Sequence, residues 1–233
     1  YPNLVIAGAP KSGTLHPNDD QSSRQSRNIT QIGAIISNGT GLFPMAWLAA
    51  ELAKRDRLDY FITAGYPTKA ISRFVDRCPW VPGNFNRLKV RKVDLRDDHI
   101  YPIWSSEFFY QAAHVLRGRR WTSTLYDVAD NAAFRAYASQ AKSLLKSKRL
   151  STPPPIYHYR AGFGLDSVAE AKRRGMVALC HHTSAHPLAF GPLTRRQGKR
   201  PTPEEIVEER ASLDGIQKLI LWDIDQADFI IAE

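Results

Sequence analysis

Short apolar runs alternate with amphipathic stretches along most of this chain. Residues 4–9, LVIAGA, read as a buried strand running into a turn, whereas 16–28, HPNDDQSSRQSRN, show no apolar period and read as a polar linker or loop. The pattern starts afresh at Gln31. QIGAIIS predicts a strand, NGTGLF a glycine-rich turn, and Pro44 opens a helix with Trp47, Leu48 and Leu52 at helical spacing. LDYFITAG (58–65) predicts the next strand, which makes 31–65 a β–turn–α–β unit. In the middle, 86–95 (NRLKVRKVDL) alternates like a strand, and helices are expected over 107–116 and 127–146. IYHYR then predicts a strand ending at Gly162. Asp166 is expected to cap a helix that Gly175 stops, and MVALCHH is the strand after it, giving a second β–α–β unit over 156–182. Thr202-Pro-Glu-Glu205 has the form of a capping box and predicts one long helix to about Gln226, with ADFIIAE as a last strand. This alternation predicts an α/β, Rossmann-like three-layer sandwich with a mainly parallel sheet.

Composition narrows the function classes. Of 233 residues, 43% are hydrophobic and 24% charged, ordinary for a chain that buries a core. No apolar run approaches the ~18–20 residues that span a bilayer. The opening YPNLVIAGAP has no basic or long apolar leader region, so a signal peptide is not expected. Two cysteines, Cys78 and Cys180, make no disulfide framework, and a cytoplasmic location is the simpler expectation. Two sequons, at Asn28 and Asn38, carry no weight without a secretory route. A net charge of +9 favours a polyanionic partner. Its basic residues are scattered and no RNA-binding aromatic motif occurs, so nucleic acid is not expected. Peripheral contact with an anionic membrane, or a phosphorylated ligand, fits better.

Three groups of residues carry candidate chemistry. The turn Asn38-Gly-Thr-Gly41 precedes a helix, so the amides of Gly39 and Gly41 can face a diphosphate, or the glycines can serve turn geometry alone. Arg160 and Gly162 end a strand on the edge where parallel sheets place ligands, and an arginine there suits a phosphate or acidic acceptor. ALCHHTSAHP (178–187) holds three of the seven histidines. His182 and His186 have the i, i+4 spacing of a helical metal pair, but the preceding strand and Pro187 argue against a helix, and no metal is expected. Strand alternation lets one of His181 and His182 face a cleft easily. His182 is preferred as the catalytic candidate, with His186 as a further substrate contact.

NGTGLFPMAWLAAELAKR, YRAGFG…AKRRGMVALCHHTSAHP and ADFIIAE, in that order, resemble the N-terminal half of family-4 glycosyltransferases, retaining enzymes of GT-B architecture. The likeness covers about 31–233. It implies an acceptor-side Rossmann-like domain whose C-terminal, donor-binding partner is missing from this chain. It also implies transfer from a nucleotide-diphosphate sugar, as co-substrate, to a saccharide or lipid-linked acceptor, with no cofactor. Gly39 and Gly41 would face the diphosphate and His182 would position the reacting sugar. Asp223-Ile-Asp225 has the spacing of the metal-holding Asp-x-Asp of GT-A enzymes, but it falls in the last turn of a predicted helix and reads as helix surface. The first 30 residues form a separate strand–loop and linker segment. There IAGAPKSGTL resembles the 5′-phosphosulfate loop of sulfotransferases, which implies a phosphate cradle at Lys11, Ser12, Gly13 and Thr14. A sulfotransferase using 3′-phosphoadenylyl sulfate is therefore the alternative reading, and a non-catalytic binding half-domain is the next.

Overall fold

The computed structural model describes residues 32–40, 44–77, 91–116, 123–150, 153–182 and 202–232. The strands are β1 (Ala34–Ser37), β2 (Leu58–Thr63), β3 (Ile100–Pro102), β4 (Ile156–Arg160), β5 (Val177–His182) and β6 (Phe229–Ala232). Between them run α1 (Pro44–Lys54), α2 (Lys69–Arg77), α3 (Trp104–Leu116), α4 (Ser123–Ser147), α5 (Asp166–Arg173), α6 (Pro203–Ser212) and α7 (Gly215–Gln226). All the strand pairs are parallel and the spatial order is β3-β2-β1-β4-β5-β6. The predicted α/β, Rossmann-like sandwich is the fold observed.

Alternation along the strands builds two cores. Ile35, Tyr157, Tyr159, Ala178 and Cys180 face the layer of α4, α5 and α7, where they pack with Tyr137, Leu145, Val168 and Ile224. Ile36 and Phe61 face α1 and pack with Met45, Ala46, Ala49 and Ile100. The tyrosines of the first core are buried because their hydroxyls find partners. Tyr137 donates to the Ile62 carbonyl at 2.9 Å, Tyr159 to the Asp223 carbonyl at 2.6 Å, and Tyr157 shares a 2.8 Å bond with Ser167.

The structure departs from the hydrophobic pattern in four places. Residues 91–96 form no strand. Val93 instead exchanges two hydrogen bonds with the Tyr66 hydroxyl, so its alternation reflects packing beneath Tyr66. Positions 86–90 lie outside the described residues. The long C-terminal helix is two helices, because Asp214 accepts from the Gln217 amide at 2.7 Å and the Gln217 side chain accepts from the Asp214 amide, a second capping box that starts α7 afresh. Asp166 does not cap α5. Leu165 holds that place at φ 41° without a side-chain cap bond, and Asp166 sits in the first turn, 3.1 Å from Lys142. Finally, β3 and α2 are present where the sequence pattern marked neither.

Candidate functional site

The chain builds β1, β2 and β3 outward in one direction and then returns to place β4 on the other side of β1. The connections leaving β1 and β4 therefore diverge to opposite sides of the sheet, and such a switch point is where open parallel sheets form their ligand crevice, at the carboxyl ends. One wall is the turn Asn38–Thr40 after β1, and the other is the segment 160–165 after β4. Two of the predicted site groups thus meet at this point. Arg160 bridges them, its Nη1 donating to the Thr40 carbonyl at 2.9 Å.

Gly39 and Gly162 line this crevice, and packing requires both. Gly39 has φ 72°, and a Cβ there would lie 2.5 Å from the Phe163 ring. Gly162 has φ 92°, and its Cβ would lie 2.8 Å from the Phe134 ring. Phe134 and Phe163 stack at 4.4 Å between centroids, and Tyr137 meets Phe163 edge-on at 5.2 Å. The crevice floor is therefore an aromatic cluster pressed against two glycine turns. Asn38 and Thr40 are buried, so the sequon at Asn38 is closed to a glycan in this fold. Above the floor, the Arg160 guanidinium lies 5.3 Å from the Phe163 centroid, and burial pulls its pKa down to about 10.

The turn after β4 is held from α7. Asp223, fully buried, accepts from the Gly164 amide at 2.7 Å and from the Leu165 amide at 2.5 Å. Those amides point as an anion-binding nest at a helix start would, and an internal carboxylate fills it. The helix-surface reading therefore fails for Asp223, although Asp225 does point elsewhere, to Arg210 at 3.0 Å. Desolvation pushes the Asp223 carboxyl up to about 7, against the pull of those amide bonds.

The histidines at the neighbouring strand ends are buried. His182 ends β5 in register with Ala232 and is 5% exposed. Cys180 packs into the core with Tyr159, and His181 is on the opposite face, where its ring stacks on His158 at 5.4 Å. His158 is 4% exposed and, among the described residues, its Nε2 has no hydrogen-bond partner. Burial first, and His181 second, lower its pKa to about 4. In the unfolded chain His158 takes up a proton near its ordinary 6.5, and in the fold it does so only near 4. Its contribution to stability is whole above pH 6.5 and is lost as pH falls toward 4. The stability advantage of wild type over His158→Gln should shrink by up to about 1.4 kcal/mol per pH unit across that window. Urea unfolding at pH 7, 6 and 5 reads this, and a pH-independent difference would refute a neutral buried His158. Asp223 acts with the opposite sign, because its raised pKa favours the fold at low pH and that gain is lost as pH rises through 7.

No protein-family model matches the chain, and no curated protein does. Gly41, His186 and Lys11, Ser12, Gly13 and Thr14 lie outside the described residues, as does all of segment 1–30. Among the described residues, no three His, Cys, Asp or Glu side chains gather into a metal-type cluster. No described helix is long and apolar enough to cross a membrane.

Sequence reasoning missed two buried groups near the crevice. Besides Asp223, Glu107 at the start of α3 accepts from Arg91 at 2.6 Å and from the Gly65 amide at 3.2 Å, which ties α3 to the carboxyl end of β2. An isolated Glu and Arg sixteen positions apart give no periodic signal, whereas Asp223 carried one, being two positions from Asp225 on a helix and so on a different face.

Proposed function

We propose that this chain is the acceptor-side domain of a retaining GT-B glycosyltransferase, which moves a sugar from a nucleotide-diphosphate donor to a saccharide or lipid-linked acceptor without a metal. The observation that carries the reading is the topological switch point between β1 and β4, where a glycine turn and a desolvated arginine flank one crevice. The motif order NGTGLF, YRAGFG, HHTS supports it, because Asn38, Arg160 and His182 from these motifs stand at the carboxyl ends of β1, β4 and β5 on the same edge of one sheet. In this reading the Asn38–Gly41 turn faces the donor diphosphate, Arg160 meets an anionic acceptor, and His182 positions the reacting sugar. The enzyme works in the cytoplasm, in peripheral contact with an anionic membrane face to which its net charge of +9 is suited.

The test, made on this domain joined to a donor-binding C-terminal domain, is release of nucleoside diphosphate from uridine-, guanosine- and adenosine-diphosphate sugars, with saccharide acceptors present. His182→Ala should lower turnover by about 100-fold with nucleotide affinity unchanged, the size expected when a reacting group is misplaced by an ångström. Unchanged turnover removes His182 from the mechanism, and no release from any donor rejects the reading as a whole. Binding of adenosine 3′,5′-bisphosphate that is lost in Lys11→Ala would instead assign the chain to sulfotransfer.

A further inference from the structure

The α3–α4 hairpin reaches past the carboxyl edge of the sheet. α4 leads down to β4, yet at Tyr137 it is only level with the carboxyl ends of β1 and β2, where that hydroxyl meets Ser37 at 3.0 Å and the Ile62 carbonyl at 2.9 Å. Residues 123–133 of the helix therefore stand beyond the edge, over about 15 Å. α3 rises beside them from the end of β3, since Ser105 near its start meets Gln140 late in α4 and the join 117–122 is short. The two helices are thus antiparallel, and their joined ends make a projecting tip. Val115 on α3 and Leu125 and Val128 on α4 are 62%, 57% and 61% exposed there. Phe108, two turns before Val115 on the same face, is more exposed still. Glu107 is the only Asp, Glu, Lys or Arg of α3, and it is buried, so the outer face of that helix carries none. A helix face that stays in water ordinarily carries several.

We propose that this tip, through Val115, Leu125 and Val128, docks on an anionic lipid surface. Its shape favours a bilayer over a folded partner, because a convex end bearing aliphatic side chains enters the headgroup layer without needing a matching groove. Charge favours an anionic one. Arg135 continues the Leu125–Val128 face two turns on and, among the described residues, has no acidic partner, while in sequence the join 117–122 adds three arginines and no acid. Asp127, the exposed acid of this stretch, lies ~100° round the helix from Val128, on the side where Asn131 meets Gly215 of α7. The proposal deepens the transferase reading by choosing a lipid-linked acceptor over a soluble saccharide, since docking turns the carboxyl edge of the sheet toward the membrane, and it rests on that reading only for this choice.

The experiment is co-sedimentation of the full chain with vesicles of phosphatidylcholine and phosphatidylglycerol in equal parts, and with vesicles of phosphatidylcholine alone. The mixed vesicles should bind the chain and the neutral ones far less, and added salt should weaken the binding. Leu125→Ser combined with Val128→Ser should weaken it by about 10–100-fold, the loss of two partly buried aliphatic side chains. Both positions are exposed, so thermal unfolding of the double variant should match wild type. Val177→Ser is the control, because Val177 is also exposed but begins β5 at the opposite edge of the sheet, and binding should be unchanged. Absence of binding to the mixed vesicles, equal binding to both kinds, or binding that the double variant leaves unchanged overturns the proposal. So does a dimer in sedimentation that the double variant abolishes, which would make a second copy the cover of the tip. Vesicle binding that needs Leu125 and Val128, without sugar transfer by the two-domain protein, would reject the transferase reading and keep the surface, while transfer without vesicle binding would do the reverse.

Discussion

Glu107→Ala should destabilise the fold by about 3–5 kcal/mol, the usual cost of breaking a buried ion pair from one side. Its carboxylate accepts from Arg91 Nη1 at 2.6 Å, Arg91 Nη2 at 3.1 Å, the Gln111 amide at 2.6 Å and the Gly65 amide at 3.2 Å. The Arg91 and Glu107 side chains are 10% and 6% exposed, so water cannot replace what is removed. The variant leaves a buried guanidinium whose remaining tie is to the Gly65 carbonyl at 3.1 Å. Glu107→Leu together with Arg91→Met should recover most of the loss, because an apolar pair of similar volume needs no desolvation of charge. Denaturant unfolding of the single and double variants decides the matter. A single variant within about 1 kcal/mol of wild type would mean that the pair behaves as an exposed one.

Gly39→Ala should cost about 2–5 kcal/mol, and two separable effects make up that figure. A left-handed backbone at φ 72° disfavours any side chain by ~1–2 kcal/mol, and forcing a methyl group into a filled space costs ~1–3 kcal/mol. The obstructing atoms are three carbons of the Phe163 ring, 2.5–2.7 Å from the added Cβ. That ring cannot simply retreat, because Phe134 stacks on it and Tyr137 meets its edge. In a double-mutant cycle, Phe163→Leu should relieve the clash and leave the backbone strain, so the coupling energy should be favourable by 1 kcal/mol or more. Strict additivity would show that the backbone alone demands glycine. The glycine turn is thus explained by the aromatic floor beneath it before any ligand is invoked.

The sheet was legible in the sequence because its strands are apolar runs bounded by breakers. AIIS, LDYFIT, IYHYR and VALCHH each announced a strand, and the Pro and Gly residues around them marked the turns. β3 was not legible, since three residues ending in proline are too few to establish a period. The break between α6 and α7 was written as Asp214-x-x-Gln217, but apolar residues on both sides sustained a helical pattern across it. At the crevice, sequence order brought out Gly39, Arg160, Gly162 and His182, all of which stand at strand ends. It did not bring out Glu107, and it put Asp223 on a helix surface; both come from helices and reach the sheet edge only through tertiary packing. Burial of the histidines was also hidden, because a period-two pattern assigns faces and says nothing of what covers them.

The strand order also dictates when the protein can become whole during synthesis. β1 lies in the middle of the sheet, yet its two neighbours reach it at different times. β2 arrives almost at once, while Ile36 must wait for His158, 122 positions later (158 − 36). At the ~5–20 residues per second of a translating ribosome, the interval is on the order of 6–24 s. Throughout it, one side of an Ala-Ile-Ile-Ser strand offers unpaired amides and carbonyls to any passing chain. A nascent chain of this topology therefore carries its most adhesive edge at its centre, and emergence of β4 closes it.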